Sequence, residues 1–503
     1  MTLFECISLF VAILFIIFYN IWKRNKNVVI PSWPIIGMLP SVFLNLSNIH
    51  DFATIVFKHY AGTFHFKGPW LTNMANIIFT CDPMNVQHIT YKNFSNYGKG
   101  SDFHEFLEVF GVGILNLDFN EWKQERSLLH SLLKRKNFEI FHQNNIQKKL
   151  ENCLLPLLDL SCEGVQVLDL QDILERFTFD ITSTFLFGFD PNSLPCNFSD
   201  FSDVTYVKAV SEIEDTIFFR HSIPKCLWKL QKWLQIGQEK KHKVALENLH
   251  QFLYKCITYS KGNEDEDEYH SCLLKELMKG CLEKDEMVDK YYLRDTTLNL
   301  LSAGNGTISS GLSWFFWLVS THPIVEAKIV QEIKDNYLAQ EENSISNLSI
   351  QHLDKLVYLH GAICEALRLY PPIPFELKCA IKADILPSGD HVSANTKLIY
   401  SLYAMGRMEE IWGEDCLEFK PERWISDKGQ IIHVPSYKFI AFNAGPRSCI
   451  AKGISLVQMK MVAAAMLWRF HIEVVDSHRV TPRVSFVLRI KHGLKIKVTK
   501  RCL

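Results

Sequence analysis

Hydrophobic positions along this chain recur mostly at the spacing of an α-helix. Helical patterns dominate 121–370, and the longest apolar stretch there, Leu298–Val319, predicts a buried central helix. Strict alternation is confined to short stretches, around Thr63, around Ile77 and near the C-terminus, and it predicts small sheets. No Pro/Gly/Ser-rich linker and no internal repeat divides the 503 residues. We therefore predict one large, mostly α-helical body with minor β-sheets.

Two segments outside the helical pattern have simple structural interpretations. Phe470–Val475 and Val484–Val498 alternate well enough to predict a C-terminal β-hairpin, joined by a turn that contains proline. The acidic run Glu264–Glu268 is typical of a solvated loop between helices.

The chain begins with an almost continuous apolar stretch, Leu3–Trp22. A helix of about twenty residues spans about 30 Å, which is the thickness of the hydrocarbon core of a bilayer. Lys23, Arg24 and Lys26 come next without a small-residue cleavage site, which favours an uncleaved anchor over a signal peptide. Basic residues on this flank predict a cytosolic location for the rest of the chain. We expect 1–22 to be a single-pass anchor, 23–40 a basic and Pro-rich hinge, and 41–503 one cytosolic domain.

The composition argues against several classes of function. A net charge of −1 and a pI of about 7.0 give no reason to expect nucleic acid or another polyanion as a partner. The 14 cysteines include no Cys-x-x-Cys motif. This pattern indicates a reducing compartment, and it argues against a disulfide framework, a zinc site or a cofactor linked through paired cysteines.

Cys449 lies in the loop that runs Phe442-Asn-Ala-Gly-Pro-Arg-Ser-Cys-Ile-Ala. The cysteine thiolate is a ligand for soft metals, and its pKa is lowered by nearby positive charge and by the metal itself. Gly445 is expected to set the turn, and Arg447 to pair with an anionic carboxylate. A helix predicted over Ser455–Phe470 would direct its N-terminal dipole at the sulfur. The alternative is a buried structural cysteine, the commonest fate of a lone cysteine.

Buried charge is predicted in two further segments. Glu365 and Arg368 stand at i and i+3 on a helix predicted over Leu359–Leu369, among apolar residues. Charges in such surroundings need additional partners. Arg423, in a Pro-Glu-Arg-Trp segment that precedes Cys449, can supply a second guanidinium. These residues are predicted to form one buried charge network.

The order Glu-x-x-Arg, Pro-Glu-Arg-Trp and Phe-x-x-Gly-x-Arg-x-Cys resembles the motif set of the haem-thiolate monooxygenases, the cytochrome P-450 superfamily. The resemblance covers roughly 31–501, and it implies that family's mostly α-helical fold with minor sheets. Within the superfamily the chain is similar to the plant fatty-acid and alkane hydroxylases, and in particular to the mid-chain alkane hydroxylase subfamily. This finer resemblance rests on strings that begin at Phe66, Leu312, Trp412 and Gln458.

The resemblance implies haem b as the cofactor and Cys449 as the axial ligand of its iron, with Phe442, Gly445 and Arg447 around it. Ala451 replaces the glycine that usually ends this loop, and it is still small enough for close haem packing. Trp122 and Arg126 match a pair that faces the haem propionates in the family. The alternative for this pair is an amphipathic helix in which both residues are incidental.

The segment Ala303-Gly-Asn-Gly-Thr-Ile matches the oxygen-binding part of the family's central helix. Ala303 and Gly304 would let haem and dioxygen approach the backbone, and the hydroxyl of Thr307 would hydrogen-bond the bound oxygen. Gly306 replaces the usual acid and Ile308 replaces a second hydroxyl. Two helical glycines, each costing about 1 kcal/mol relative to alanine, favour a local opening or kink.

Three consequences of the missing acid stay open. Water that enters the opening could replace the carboxylate as proton carrier. The enzyme could instead couple electrons poorly to product. A third possibility is a reaction that inserts no oxygen, such as the phenol coupling carried out by related subfamily members.

Electrons must come from another protein, since the chain has no Gly-x-Gly-x-x-Gly site for flavin or nicotinamide. The resemblance implies a separate NADPH-cytochrome reductase as partner, O2 and a hydrophobic small molecule as substrates, and a location at the endoplasmic reticulum membrane. Lys134–Lys136, Lys452 and Lys460 are candidates for a basic patch that attracts an acidic reductase, or they only solubilise the surface.

Position in the family pattern predicts an apolar substrate pocket, although aromatic residues at helical spacing more often form plain core. Its candidate residues are Phe110, Leu115, Leu300, Ile373, Phe375 and Phe486. The leading hypothesis is a membrane-anchored monooxygenase that hydroxylates a long-chain alkane or fatty acid. The alternatives are a specialised-metabolism oxidase, performing ring hydroxylation or oxidative phenol coupling on an alkaloid-like or terpenoid substrate, and a catalytically weak haem-binding protein.

Overall fold

A computed structural model describes residues 3–26, 28–70, 72–164, 166–198, 204–262, 272–282, 289–337 and 350–501. Within these ranges the chain is mostly helical with small sheets, which confirms the predicted fold class. The acidic run Glu264–Glu268 lies outside the described residues.

The helices up to the middle of the chain cover most of its first half. Their bounds are α1 (Leu3–Asn25), α2 (Leu39–Leu44), α3 (Ile49–His59), α4 (Pro83–Gln87), α5 (Ser101–Phe106), α6 (Phe119–Leu133), α7 (Lys136–Lys149), α8 (Leu155–Gly164), α9 (Leu170–Phe187), α10 (Thr205–Ser222), α11 (Lys225–Leu234) and α12 (Gly237–Gly262).

The second half adds the central helix, α14, and seven further helices among the described residues. Their bounds are α13 (Leu273–Leu282), α14 (Lys290–Ser320), α15 (Pro323–Tyr337), α16 (Ile350–Lys355), α17 (Val357–Leu369), α18 (Leu402–Met405), α19 (Glu409–Trp412) and α20 (Lys452–Arg469).

Three small sheets pack beside the helices. The largest has the strand order β1-β2-β8-β5-β3, and in it only β2 and β8 pair in parallel, with Ile77 opposite Lys397. A second sheet has the order β4-β10-β9, and β6 pairs with β7. The strands are β1 (Thr63–Phe66), β2 (Ile77–Thr80), β3 (Tyr97–Gly98), β4 (Leu168–Asp169), β5 (Phe375–Ala380), β6 (Asp384–Ile385), β7 (His391–Val392), β8 (Lys397–Ser401), β9 (Phe470–Val474) and β10 (Lys495–Lys500).

The predicted C-terminal hairpin is only partly correct. β9 and β10 do pair antiparallel, with Val474 opposite Ile496, but 484–494 form no strand of the sheet. The backbone there is engaged elsewhere: the carbonyl of Leu488 accepts hydrogen bonds from Ser310 Oγ and Trp314 Nε1, both at 2.7 Å. Alternating side chains could not reveal that these backbone groups bond to a helix.

Helix α14 is the element around which the site is built. The predicted apolar stretch lies inside it, and Asp289 caps its first turn by accepting a hydrogen bond of 2.9 Å from the N–H of Tyr291. Helices α9, α12, α17 and α20 contact it. Leu312 and Phe315 are almost fully buried in the core shared with α17 and α20. Because its ends and one side are fixed in this way, α14 presents its remaining face in a defined orientation.

The predicted membrane anchor coincides with α1, but about half of the side chains of that helix lie outside the described residues. Among the residues that the structure does describe, no helix is sufficiently long and apolar to span a bilayer. The anchor therefore stays a prediction.

Candidate active site

The backbone of the cysteine loop is fixed by a glycine. Gly445 begins a short 3-10 turn, Gly445–Arg447, with φ of +67°, in the left-handed region that favours glycine. A Cβ at this position would overlap the carbonyl oxygen of Thr90. The N–H of Cys449 then donates to the carbonyl of Phe442 at 2.7 Å and closes the loop. Only glycine allows both the turn and this close approach.

The thiol of Cys449 lies at the start of α20, with cations nearby. The side chain of Cys449 has solvent-accessible area, but many protein atoms lie close to it. This partial loss of water around the sulfur raises the pKa of the thiol. The N–H of Ala451 and the charges of Arg126 and Lys452 act in the opposite direction and favour the thiolate. Helix α20 begins at Lys452, three residues earlier than predicted, with Ala451 as its N-cap. Since φ of Ala451 is −101°, this position does not require the family's usual glycine.

Trp122 and Arg126 lie one turn apart on α6, beside the cysteine loop. Arg126 Nη2 donates to the carbonyl of Ser448 at 2.7 Å. Arg447 stacks over the Trp122 ring at 4.4 Å and forms an ion pair with Asp118. The structure thus brings together the two arginines and the tryptophan that the sequence marked as cofactor-binding residues.

Two buried lysines that the sequence analysis missed extend this positive charge. Lys99 follows Gly98, which pairs with Cys379, so the strand pairing places Lys99 beside Lys378. They are 8% and 3% exposed, and neither ammonium has an ion-pair partner in the described part of the chain. Burial lowers the pKa of both lysines, and the charge of Arg447 acts in the same direction; together with the opposing charges of Glu376 and Asp118 these effects place the pKa of Lys378 at about 8.

This cluster of cations fits an anionic cofactor. Like charges beside each other in a buried place are costly unless an anion balances them. Nε of Arg447 is also buried without a hydrogen-bond partner. A haem held by Cys449 would carry two propionates, and these would supply carboxylates for Lys99 and Lys378 and an acceptor for Nε of Arg447, whose Nη2 already pairs with Asp118. The donor set therefore fits haem.

The distal face of α14 presents Ala303 and Thr307. Ala303 is exposed although most of its neighbours on α14 are buried, and Thr307 Oγ1 donates to the Ala303 carbonyl at 2.6 Å. The predicted role of Gly304 is not supported by its position. A Cβ there would lie 2.9 Å from Thr182 Cγ2, so this glycine permits close packing against α9. Gly306 is covered by Glu214, and the helix runs unbroken through the segment.

The loop that contains Phe110 and Leu115 is held by a side chain of α14. Asn299 Nδ2 donates to the Phe110 carbonyl at 2.9 Å, and Asn299 Oδ1 accepts from the Leu115 N–H at 2.8 Å. Phe110, Leu115, Leu300 and Phe486 join one apolar cluster, with Phe110 in its buried core. Four of the six predicted pocket residues therefore belong to the same large apolar cluster.

The other two predicted pocket residues are arranged differently. Phe375, at the start of β5, stacks on His50 with ring centroids 5.4 Å apart. Ile373 is partly buried and belongs to no apolar cluster of the described residues. Leu377, two positions along the same strand, packs into the cluster instead. Strand alternation, with the register not yet known, could not select between these faces.

The predicted charge network forms on the side of α17 and includes more members than expected. Arg368 binds the carboxylate of Glu365 through two nitrogens, and Arg423 Nε reaches Glu365 Oε1 at 3.3 Å. Trp424 Nε1 donates to Glu365 Oε2 at 2.9 Å, and Asp415 pairs with Arg423 at 2.7 Å. Glu365 is 0% exposed, and each of these charges has a partner.

One member of the candidate basic patch is wrongly assigned. Lys460 is buried within α20, and its Nζ donates to the carbonyl of Leu353 at 2.9 Å. Lys134, Lys136 and Lys452 are exposed as expected. The spacing of lysines on a helix did not show that one of them lies on the core side.

The residues around Cys449 fit a haem-thiolate site, and the chain is similar to proteins of the cytochrome P450 family. A family model described as Cytochrome P450 matches residues 29–498. Alkane hydroxylase MAH1 of Arabidopsis thaliana is 40% identical over 500 residues, which are 98% of this chain and 97% of that protein. Noroxomaritidine synthase 2 of Narcissus pseudonarcissus is 38% identical over 95% of this chain and 93% of that protein. Cytochrome P450 86B1 of Arabidopsis thaliana is 36% identical over 99% and 90%, respectively.

The chain belongs to the cytochrome P450 family and is an oxidoreductase of the monooxygenase class. When bound, haem supplies the activation of O2, which thiolate donation promotes. The chain's own residues do the rest. Ala303 leaves room on the distal face, and Thr307 keeps its oxygen free to accept a hydrogen bond because its proton is donated to Ala303. The apolar cluster around Phe110 would keep water away from this face.

Proposed function

We propose that this monooxygenase hydroxylates a long-chain alkane or fatty acid, with electrons from a separate NADPH-cytochrome reductase. The observation that carries the proposal is the set of predicted pocket residues that belong to one apolar cluster with α14. Phe110, Leu115, Leu300 and Phe486 are all hydrocarbon, and none of them can hydrogen-bond a substrate. Such a lining favours a substrate that is itself a hydrocarbon chain. The similarity to a protein named alkane hydroxylase supports the same substrate class.

A second candidate is a specialised-metabolism oxidase that acts on an alkaloid-like or terpenoid substrate. It is favoured by the similarity to the noroxomaritidine synthases, at 38% identity, and by Gly306 and Ile308 in place of polar residues. These two residues leave the distal helix with fewer hydroxyl and carboxyl groups than the family usually has, which a reaction without oxygen insertion would tolerate.

A location at the endoplasmic reticulum membrane belongs to the same proposal. Phe15, Ile16 and Phe18 on α1 are exposed, and so are Leu230 and Trp233 on α11. Exposed apolar side chains of this size are favourable in contact with lipid. A glycosylation acceptor fused to the N-terminus would be modified if that end lies in the lumen. An unmodified acceptor, or protein that carbonate extracts from microsomes, would contradict a single-pass anchor.

The substrate proposal is tested with purified protein and reductase. Binding spectra are recorded with n-hexadecane, hexadecanoic acid and a set of phenolic amines, and the products of each turnover are identified. We expect n-hexadecane or the fatty acid to shift the spin state and to give an alcohol. Coupled or ring-hydroxylated products from the phenolic amines alone would favour the second candidate. Bound haem without any turnover would favour a catalytically weak haem-binding protein.

A further inference from the structure

The face of α14 that holds Gly306 is covered by a buried charge cluster that lies outside the residues assigned above to haem and substrate. It consists of Glu214 on α10, Glu175 on α9 and Arg489 from the C-terminal segment. Arg489 Nη1 pairs with Glu214 Oε2, and Arg489 Nε donates to Glu175 Oε1 at 2.6 Å. Glu214 and Arg489 are 3% and 2% exposed. Buried charges of this kind are costly, and they need a structural or functional explanation.

The cluster occupies the space that a side chain at position 306 would take. A Cβ on Gly306 would lie 2.9 Å from Glu214 Oε1 and 3.0 Å from Arg489 Nη2. Gly306 has an ordinary helical backbone, so its missing side chain reflects this occupied volume and not the backbone conformation. A carboxylate oxygen from another helix therefore lies beside α14 one position before Thr307.

This carboxylate oxygen is held in place but is itself unpaired. The segment that carries Arg489 is tied to α14 through the Leu488 carbonyl, which accepts from Ser310 and Trp314. Oε2 of Glu214 is fixed by Arg489, whereas Oε1 has no hydrogen-bond partner among the residues described. A carboxyl oxygen that belongs to a fixed and buried residue, and that makes no hydrogen bond to the described residues, is suited to hold a proton or to exchange one with water.

The electrostatics around Glu214 favour the protonated form. Burial raises the pKa of Glu214, the negative charges of Glu175 and Asp215 raise it further, and Arg489 opposes them. Asp215 in turn pairs with Arg483. Two carboxylates share one buried guanidinium here, so a proton on Glu214 Oε1 balances the charge of the cluster.

We propose that Glu214 supplies from α10 the carboxyl group that α14 lacks at position 306, and that it relays protons toward the hydroxyl of Thr307. In each cycle Oε1 gives its proton to water beside Gly306 and becomes a carboxylate, which a proton from solvent then restores. Water still carries the proton, but the acid that supplies it, Glu214, is on α10 instead of α14. The relay goes beyond the proposed substrate, since it concerns proton delivery for any substrate that the enzyme accepts.

The first test compares two glutamates that share the same guanidinium. NADPH consumed, hydrogen peroxide released and product formed are counted together with n-hexadecane as the probe. Glu214→Gln is expected to raise the fraction of NADPH that ends as peroxide several-fold. Glu175→Gln, which disturbs the same cluster away from Gly306, should leave that fraction within about twofold of the parent. Equal effects of the two changes, or none, would show that the cluster is only structural.

The pH dependence gives a readout that packing would not change. In the parent enzyme the peroxide fraction should rise as pH rises through the pKa of Glu214, because the relay loses its proton. In Glu214→Gln it should be high and independent of pH over that range. The charged groups Glu175, Asp215, Arg483 and Arg489 remain in both proteins, so a difference isolates Glu214. Parallel pH profiles would overturn the proposal.

The third test places a carboxylate at position 306 itself and measures the melting temperature, which does not depend on turnover. Gly306→Asp should lower the melting temperature of the holoprotein in the parent, where Glu214 fills the space, and much less in a Glu214→Ala background. The double change should also return the peroxide fraction toward that of the parent. Equal destabilisation in both backgrounds, or a double variant as uncoupled as Glu214→Ala, would contradict the relay. If n-hexadecane gives no product with the parent, the substrate proposal fails, while the peroxide fraction and melting temperatures still decide the role of Glu214.

Discussion

Arg368 and Glu365 form a two-point ion pair within one turn of α17, with Nε and Nη2 each 2.7 Å from a carboxylate oxygen. The other nitrogen of the guanidinium, Nη1, donates to backbone carbonyls of the segment after β8, including that of Cys416 at 2.7 Å. The pair therefore holds α17 against the long irregular segment that runs from β8 to the loop of Cys449. Through these hydrogen bonds the Glu365–Arg368 pair helps to fix the segment that precedes the loop of Cys449.

Removal of Glu365 is predicted to leave the buried Arg368 without a carboxylate and Arg423 with Asp415 alone. Breaking a buried pair in this way costs about 3–5 kcal/mol, a large part of the stability of a domain. We expect Glu365→Ala to be recovered mainly as haem-free or aggregated protein. Asp415→Asn is the matched control: Asp415 is partly exposed at the edge of the network, so its change should cost no more than about 1 kcal/mol. Normal holoprotein yield of Glu365→Ala would refute a buried network.

Gly445→Ala is predicted to abolish haem incorporation. The new Cβ would both overlap Thr90 and force alanine into the left-handed region. Gly453→Ala, eight residues later in the first turns of α20, meets no atom within 4 Å and should be neutral or slightly stabilising. The ratio of haem to protein after purification measures both. Equal haem content in the two variants would mean that the turn at Gly445 does not position the cysteine.

Haem retention should depend on the charge of Lys378. Its pKa in the folded protein is about 8, below the value of about 10.4 for an exposed lysine, because burial disfavours the ammonium. Between these values the unfolded chain binds more protons, so the haem-free protein gains stability as pH rises from 8 to 10. Haem has the opposite dependence, since its propionates favour the charged ammonium. Haem affinity should therefore fall as pH rises through 8.

The measurement is the rate of haem transfer to excess apomyoglobin at pH 7 and pH 9. The parent should lose haem several-fold faster at pH 9, whereas Lys378→Met should lose it quickly at both pH values. Lys382→Met, at an exposed lysine of the same region, should behave as the parent does. If Lys378→Met keeps the pH dependence of the parent, another group is responsible for it.

Sequence patterns predicted those features that depend on local residues. The bounds of α17 to within two residues, the C-terminal end of α14, the strands near Thr63 and Ile77, and the motif residues around Cys449 follow from spacing and side-chain type, whereas α14 begins at Lys290, eight residues before the predicted apolar stretch. Glu365 and Arg368 were predictable as buried because apolar residues flank them on their own helix.

Features that depend on register or on contacts between distant elements were not predictable. Lys99 and Lys378 become neighbours only through the pairing of β3 with β5. Glu214 reaches Gly306 only because α10 crosses α14, and Lys460 is buried only because that side of α20 faces the core. The missing acid at 306 was visible in the sequence, whereas its replacement from another helix was not.

The central claim, that Cys449 provides the thiolate for haem iron, is tested most directly by one spectrum. Reduced protein is exposed to carbon monoxide, and the Soret region is recorded for the parent and for Cys449→Ser. The parent should show the strongly red-shifted Soret band of a thiolate haem, and Cys449→Ser should lose both this band and oxygenase activity. A normal thiolate band in Cys449→Ser would contradict the assignment.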